Sequence, residues 1–254
     1  MCQSTEMDAV IINLPHFLHC EVTKYFLDNK INVLIEKPMA MTVEECDSMI
    51  ESAQTNGVKL AVGHVQRYFS VYDEVKNIIE NKKYGNLCMI TEVRNVDYLK
   101  DRPKWFLDKK LSGGGIVMNY GAHTLDKIMY VTGERVLESK SIIGNPLSDD
   151  NIEINAQILL KLTNKISVAI TYCGCPGVNA YETVFYFEKG VIKTDGFNIY
   201  LSEDGDFIHK KGTGGMLAKQ LCEFVKFLND EPNKIVMPEY GREIVCVLEK
   251  ILTE

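Results

Sequence analysis

The apolar positions of this chain change their rhythm near residue 65. Ahead of that point they form short continuous runs separated by amphipathic stretches. "DAVIINLP" (8–15) is a nearly unbroken apolar run, as expected of a strand buried on both faces. Pro15 suits the first turn of a helix, which "HFLHCEVTKYFLDNK" continues. "INVLIEKP" (31–38) reads as a second buried strand. "TVEECDSMIESAQTNG" reads as a capped helix, with Thr42 as N-cap, Glu45 three residues on and Gly57 at its end. "VKLAVGH" (58–64) is a third strand. Strand and helix alternating in this way predict parallel strands joined by right-handed crossovers.

Beyond residue 65 the pattern predicts a helix over 70–82, a long strand in "LCMITEVRNVDYL" and one helical segment over 115–131. Strands follow near 137–144, 152–162, 165–174, 181–188, 190–194, 197–202 and 206–210. The turn signals "LTNK", "EKG", "TDG" and "EDGD" join them, which predicts an antiparallel meander. The helices "GMLAKQLCEFVKFLND" and "YGREIVCVLEKILT" close the chain. The predicted fold is therefore α/β plus α+β. A parallel-sheet unit over 1–65 is followed by an open, mostly antiparallel sheet over 66–254 with helices on one face.

Composition narrows the class. A chain of 254 residues, 46% hydrophobic and 25% charged, can bury a real core. A net charge of −7 and a pI near 5.4, with no basic stripe interleaved with aromatics, argue against a nucleic-acid partner. No apolar run approaches the roughly 18 residues that span a bilayer, and no signal peptide opens the sequence, so no membrane partner and a cytoplasmic location are expected. The eight cysteines include no CxxC pair. Cys173-Gly-Cys175 lacks the spacing and histidine partners of a zinc site, so reduced thiols and no metal are expected.

Two stretches carry candidate chemistry. In "VLIEKPMAM" (33–41), Lys37 precedes Pro38 and is held extended at the carboxyl end of its strand. That edge of an open α/β sheet is where ligands bind; a solvated turn lysine is the alternative. In "LSGGGIVMNYGAHTLDKIMYVTG" (111–133), three glycines remove all side chains ahead of a helix whose free N–H groups can hold polar ligand atoms. Asn119 and His123, four apart, share a helix face. Asp126, three residues further on, can fix the tautomer of His123 or cap a neighbouring loop. Such a histidine suits acid–base work on a hydroxyl; a core histidine bonded to backbone is the alternative. "KKGTGGM" (210–216) follows an antiparallel strand and lacks the Gly-Lys-Ser/Thr ending of a phosphate loop, so it reads as a loop before a helix.

An apolar strand into "LPHFLH", then Glu36-Lys37-Pro38, "VGHVQRYF" and GGGxxxNxGxHxxD follow one another over nearly the whole chain. In that order they resemble the Gfo/Idh/MocA family of NAD(P)-dependent sugar and polyol oxidoreductases. The resemblance implies a Rossmann dinucleotide-binding domain over 1–65 and a substrate-binding and dimerisation domain over 66–254. It implies hydride transfer between NAD or NADP and a carbinol carbon of a sugar, cyclitol or related polyol. Lys37 would bond the reacting hydroxyl, His123 would take or give its proton, and Asn119 would orient it. Asn119 stands where the family often has aspartate, and it cannot itself take a proton. The resemblance further implies cofactor contacts from Asn13, Pro15, His19, Glu36, Lys37 and Arg67. Substrate contacts would come from Lys37, Arg67, Trp105, Asn119 and His123. His16 and His19 equally suit helix capping and packing, and Trp105 equally suits anchoring a loop.

Family members begin with a strand, a GxGxxG loop and two further β-α units, which hold the pyrophosphate and read the ribose. These 254 residues contain none of them, and Met1 falls where the family has the linker before its fourth strand. The expectation is a nucleotide domain with the nicotinamide half of its site, binding NAD(P) weakly or not at all. A non-catalytic ligand-binding or oligomerising relative is the second reading. A homodimer or higher homo-oligomer through the sheet is expected, because strands 152–174 and 181–202 carry apolar residues on both faces.

Overall fold

A computed structural model describes residues 7–147, 151–203 and 205–253. The expected linker at 1–6 and Asp204 of the "EDGD" turn lie outside the described residues. Three parallel strands, β1 (Ala9–Ile12), β2 (Asn32–Glu36) and β3 (Leu60–Gly63), form a small sheet in the order β1-β2-β3. Their register sets Ile12 beside Ile35 and Glu36 beside Gly63, so the strand ends lie level. Helices α1 (His19–Asp28) and α2 (Val43–Asn56) cover one face, where Leu27, Met49 and Ala53 join Val33, Ile35 and Val62 in one core. Helix α2 has the predicted caps: Thr42 Oγ1 accepts from the Glu45 N–H at 3.2 Å, and Gly57 ends it at φ 65°. Helix α1 starts later than Pro15 suggests, because a 3₁₀ turn over His16–Leu18 comes first, as is common at helix starts.

The second face of this sheet is covered from the far end of the chain. Helix α6 (Met216–Leu228) sets Phe224 against Leu34 and Ala61. Val236 makes an antiparallel bridge to Val62, whose N–H donates to its carbonyl at 2.9 Å. Strands that are apolar on both sides need two covers, and the first 65 residues supply only one.

The remaining strands are β4 (Leu87–Asn95), β5 (Val136–Gly144), β6 (Asn155–Leu162), β7 (Ser167–Cys173), β8 (Ala180–Phe187), β9 (Gly190–Thr194), β10 (Asn198–Glu203) and β11 (Asp206–Lys211). They form a sheet in the order β11-β10-β9-β8-β4-β7-β6-β5. The predicted single meander is therefore two antiparallel ribbons on either side of β4, which runs parallel to β7 and antiparallel to β8. The β7–β8 link, "GCPGVN", is too long for a tight hairpin and crosses over β4. One face of this mixed sheet packs on α3 (Ser70–Glu80), α5 (Ala122–Thr132) and α7 (Pro238–Thr253), around Val75, Leu125, Ile158, Ile170, Phe185 and Leu248. Helix α7 joins the two cores, giving Val245 to the smaller and Ile244 and Leu248 to the larger.

One ion pair lies inside the larger core. Alternation along β4 turns Ile90, Glu92 and Arg94 inward, and Glu92 meets Lys127 of α5 with neither side chain exposed. Thr183 and Tyr181 also bond Lys127, and Thr124 donates to Glu92. Lys127→Met should cost about 3–5 kcal/mol, because it strands a buried carboxylate, and adding Glu92→Gln should recover much of that. Urea unfolding of the three proteins checks both outcomes.

Candidate active site

Lys37 stands at the end of β2, where its peptide bond to Pro38 is cis. Its Nζ crosses to the other sheet's helical layer and donates to Asn119 Oδ1 at 2.9 Å and to the Asn119 carbonyl at 3.2 Å. Asn119 lies in a π-helical turn, Val117–Gly121, that leads into α5, a wider turn that recurs at functional sites. Burial lowers the Lys37 pKa to about 8, assisted by the charges of Arg102 and Arg94 and opposed by Glu36. The ammonium therefore predominates at neutral pH.

His123 follows on the same helical segment, keeps part of its surface accessible, and has a buried Nδ1 without a hydrogen-bond partner. Burial pushes its pKa well below the usual imidazole range, and the neighbouring charges of Lys37, His64, Arg94 and Lys127 push the same way. It is a neutral imidazole at pH 7. Asp126 does not fix it, contrary to the spacing argument. The Asp126 carboxylate instead binds the guanidinium of Arg67, and its other oxygen lies 3.8 Å from His64 Nδ1. Arg67 is thereby committed, with its guanidinium 5.1 Å from the Tyr130 ring and 4.9 Å from the Tyr240 ring. An i, i+3 spacing gave no means of seeing that competitor.

The triple glycine works differently from the sequence expectation. The N–H groups of Gly115, Ile116 and Val117 are already taken. Gly115 and Val117 donate to Glu153 Oε1 at 2.7 and 3.0 Å, and Ile116 donates to the Glu153 carbonyl at 2.9 Å. A Cβ on Gly115 would stand 1.9 Å from that carbonyl oxygen, so close approach of two backbones is what requires glycine there. Gly113 takes φ 80° to end the short helix α4 (Lys109–Ser112).

The other expected residues divide. Asn13 is exposed and Pro15 half-buried at the end of β1. His19 is committed to backbone, with its ring nitrogens 2.9 Å from the Leu14 and Pro38 carbonyls, so it braces the ends of β1 and β2. His16 Nδ1 lies 2.8 Å from the Ser112 carbonyl, and its ring meets Trp105 edge-on at 5.0 Å. Trp105 stacks on Phe106 at 3.9 Å. Glu36 turns toward Gly63 and Gln220 of α6. Two residues that no motif singles out complete the site. Arg94 enters from β4 with its guanidinium 4.4 Å from the Tyr120 ring, and Arg102 Nη2 donates to the Tyr120 hydroxyl at 3.1 Å. The available signal for Arg94 was its phase with Ile90 and Glu92 along the strand.

The nicotinamide end of a dinucleotide fits this junction. Asn13 and Leu14 are exposed at the end of β1, while Lys37 and His123 remain partly open beside an unpartnered imidazole nitrogen. Among the described residues no glycine-rich strand-to-helix turn offers N–H groups to a pyrophosphate.

Holding Lys37 here opposes stability, which gives a test that needs no substrate. Its pKa falls from 10.5 in the unfolded chain to about 8. The unfolded state therefore binds more protons between those values, and stability rises with pH across that window. Below about pH 8 the full cost is present. Lys37→Met should therefore stabilise the protein by about 1–2 kcal/mol at pH 7, after allowing for the lost bonds to Asn119. The gain should shrink between pH 8 and 10.5. Urea titrations of both proteins at pH 7 and 10 measure it.

Comparison with known proteins places the fold and the family. Residues 1–64 match the profile described as "Oxidoreductase family, NAD-binding Rossmann fold", and residues 72–193 match the "GFO/IDH/MocA C-terminal domain". The chain is 31% identical over 185 residues to 1-carboxy-3-chloro-3,4-dihydroxycyclohexa-1,5-diene dehydrogenase of Comamonas testosteroni, covering 72% of this chain and 46% of that protein. It is 28% identical over 149 residues to 2,7-anhydro-N-acetylneuraminate hydratase of Escherichia coli, covering 58% of this chain and 39% of that protein. The match thus spans less than half the length of each relative. The fold resembles aldose-aldose oxidoreductase from Caulobacter crescentus, solved with glycerol, at a TM-score of 0.89 and 22% identity, covering 99% of this chain and 78% of that one. GenD2 from gentamicin A biosynthesis, solved in complex with NAD, superposes with a TM-score of 0.82 at 16% identity, over 97% of this chain and 75% of that one. With its NAD-binding Rossmann segment followed by the C-terminal domain of the same group, the chain belongs to the Gfo/Idh/MocA oxidoreductase family.

Proposed function

We propose that this chain supplies the nicotinamide-facing and substrate-facing parts of an NAD(P)-dependent oxidoreductase acting on a CH–OH group of a sugar, cyclitol or related polyol. Residues 1–65 serve the nucleotide side and residues 66–254 the substrate side. The observation that carries this reading is the pairing of an ammonium with a neutral imidazole. Lys37 is fixed by Asn119 beside His123, whose Nδ1 lacks a partner. A bound nicotinamide supplies the acceptor or donor of hydride at its C4.

The chain's own residues handle the proton and the oxygen. Lys37 donates to the carbinol oxygen and favours the negative charge that develops there as the C–H bond breaks. His123, neutral at pH 7, takes the hydroxyl proton in oxidation and returns it in reduction. Asn119 holds the Lys37 ammonium through its side-chain oxygen and leaves its amide N–H₂ to orient a substrate hydroxyl. His19 keeps the ends of β1 and β2 together from behind. Seven described cysteines are unpaired, which supports placement in a reducing compartment such as the cytoplasm. No described helix is long and apolar enough to cross a membrane.

The outer face of the large sheet supports association of two copies. Met89, Val93, Ile142 and Leu159 share that face and are 38%, 47%, 75% and 61% exposed. Large apolar side chains this exposed on one sheet face favour burial against a partner. We propose that it pairs with the same face of a second copy. Sedimentation at tens of micromolar should show a dimer that Leu159→Glu converts to monomer, and a monomeric wild type would overturn the proposal.

The catalytic reading is tested by hydride transfer with a panel of polyols and NAD⁺ or NADP⁺. Lys37→Met removes a charge-assisted bond of about 1.5–3 kcal/mol made chiefly in the transition state. Its kcat should fall roughly ten- to a hundredfold with KM little changed. The wild-type rate should also decline as pH rises through about 8, where Lys37 loses its proton. Near-wild-type turnover by the variant, or polyol binding without hydride transfer, would overturn the assignment.

A further inference from the structure

Arg94, whose charge acts on both Lys37 and His123, lines a cavity of about 350 Å³ together with Asn95, Tyr120, Asn179, Tyr181 and Asp195 among others. Its lining holds one cation, Arg94, and one carboxylate, Asp195. The Arg94 guanidinium lies 4.4 Å from the Tyr120 ring and 3.9 Å from the Tyr181 ring. Its buried Nε has no hydrogen-bond partner. Arg102 lies against the other side of the same cluster, 4.0 Å from the Tyr98 ring, and reaches the Tyr120 hydroxyl. Among the described residues, none of Lys37, Arg94 and Arg102 has a carboxylate within ion-pair distance.

The nearby acids are already committed. Glu92 lies two residues before Arg94 on the same face of β4, but it pairs with Lys127. Asp195, on the cavity wall, accepts from the N–H groups of Phe197 and Asn198, the Asn198 amide and the Tyr200 hydroxyl. A guanidinium with no carboxylate in ion-pair contact leaves its desolvation cost partly unmet, which an anionic ligand would recover. A guanidinium flanked by two rings is left to present its edge, and an edge of parallel N–H groups matches a planar carboxylate.

We propose that the substrate is a polyol acid whose carboxylate is held by Arg94, with Arg102 adding charge, while its carbinol faces Lys37 and His123. The inference rests on the oxidoreductase reading for the carbinol and on Arg94 alone for the carboxylate. Arg94 is a binding residue in this scheme and takes no part in the hydride step.

Calorimetry with unmodified protein tests it, using glucuronate and quinate against glucose and myo-inositol, with glucose 6-phosphate as a separate anion. The acids should bind at least about tenfold more tightly than their neutral counterparts. Arg94→Gln should weaken the acids roughly ten- to a hundredfold and the neutral polyols less than about threefold, and Arg94→Lys should recover part of the difference. Circular dichroism verifies that both variants fold. Equal affinity for acids and neutral polyols, an equal loss for both in Arg94→Gln, tighter binding of the phosphate, or no saturable binding of either acid would each overturn the carboxylate site. Hydride transfer on neutral polyols with no preference for acids sinks this inference alone. Acid binding that needs Arg94 but gives no hydride transfer sinks the oxidoreductase reading and leaves the carboxylate site standing.

Discussion

The ammonium of Lys37 donates to both oxygens of Asn119 across the junction of the two sheets, and the rest of the site is arranged around that contact. A charge at the end of a strand apolar on both faces must find oxygens or lose its proton. The small sheet offers it none in the direction it points, so the helical layer of the large sheet supplies them. Both oxygens belong to the π turn at Val117–Gly121, and Glu153 anchors the start of that turn through three N–H groups. A change at Glu153 would therefore reach Lys37 without touching it.

Apolar packing ties the two sheets together beside that contact. Helix α7 gives apolar side chains to both cores, α6 covers the second face of the small sheet, and Val236 bridges to Val62. The junction is therefore packed from behind, and Lys37 and His123 are held from two directions. Rigid support of this kind keeps a pair of reacting groups in register, where a shift of about 1 Å can cost a hundredfold in rate.

Two polar clusters lie along the inner face of the large sheet and differ in how their charge is met. Glu92 and Lys127 satisfy each other deep in the core. Arg94, one pleat nearer the junction, has aromatic faces beside it and no carboxylate partner among the described residues. Alternation along β4 puts both on one face, so the polarity of the cavity follows from strand geometry once the inner face is known.

The sequence by itself determined the elements and the chemically marked positions. Apolar runs fixed the three parallel strands, Thr42 and Gly57 fixed the ends of α2, and Lys37, Asn119 and His123 stood out through a proline, a glycine run and a spacing of four. These are local signals, legible because backbone sterics and helical periodicity act over a few residues. Tertiary structure alone decided that β4 enters between β7 and β8, that the far end of the chain covers the small sheet, and that Glu153 takes the N–H groups after the glycines. It also decided that Asp126 serves Arg67, that His123 Nδ1 has no partner among the described residues, and that Arg94 meets Tyr120. Each of those outcomes is a competition for hydrogen bonds or apolar cover between residues 20 to 200 positions apart. A local pattern states what each group needs, and only the folded chain shows which partner arrives.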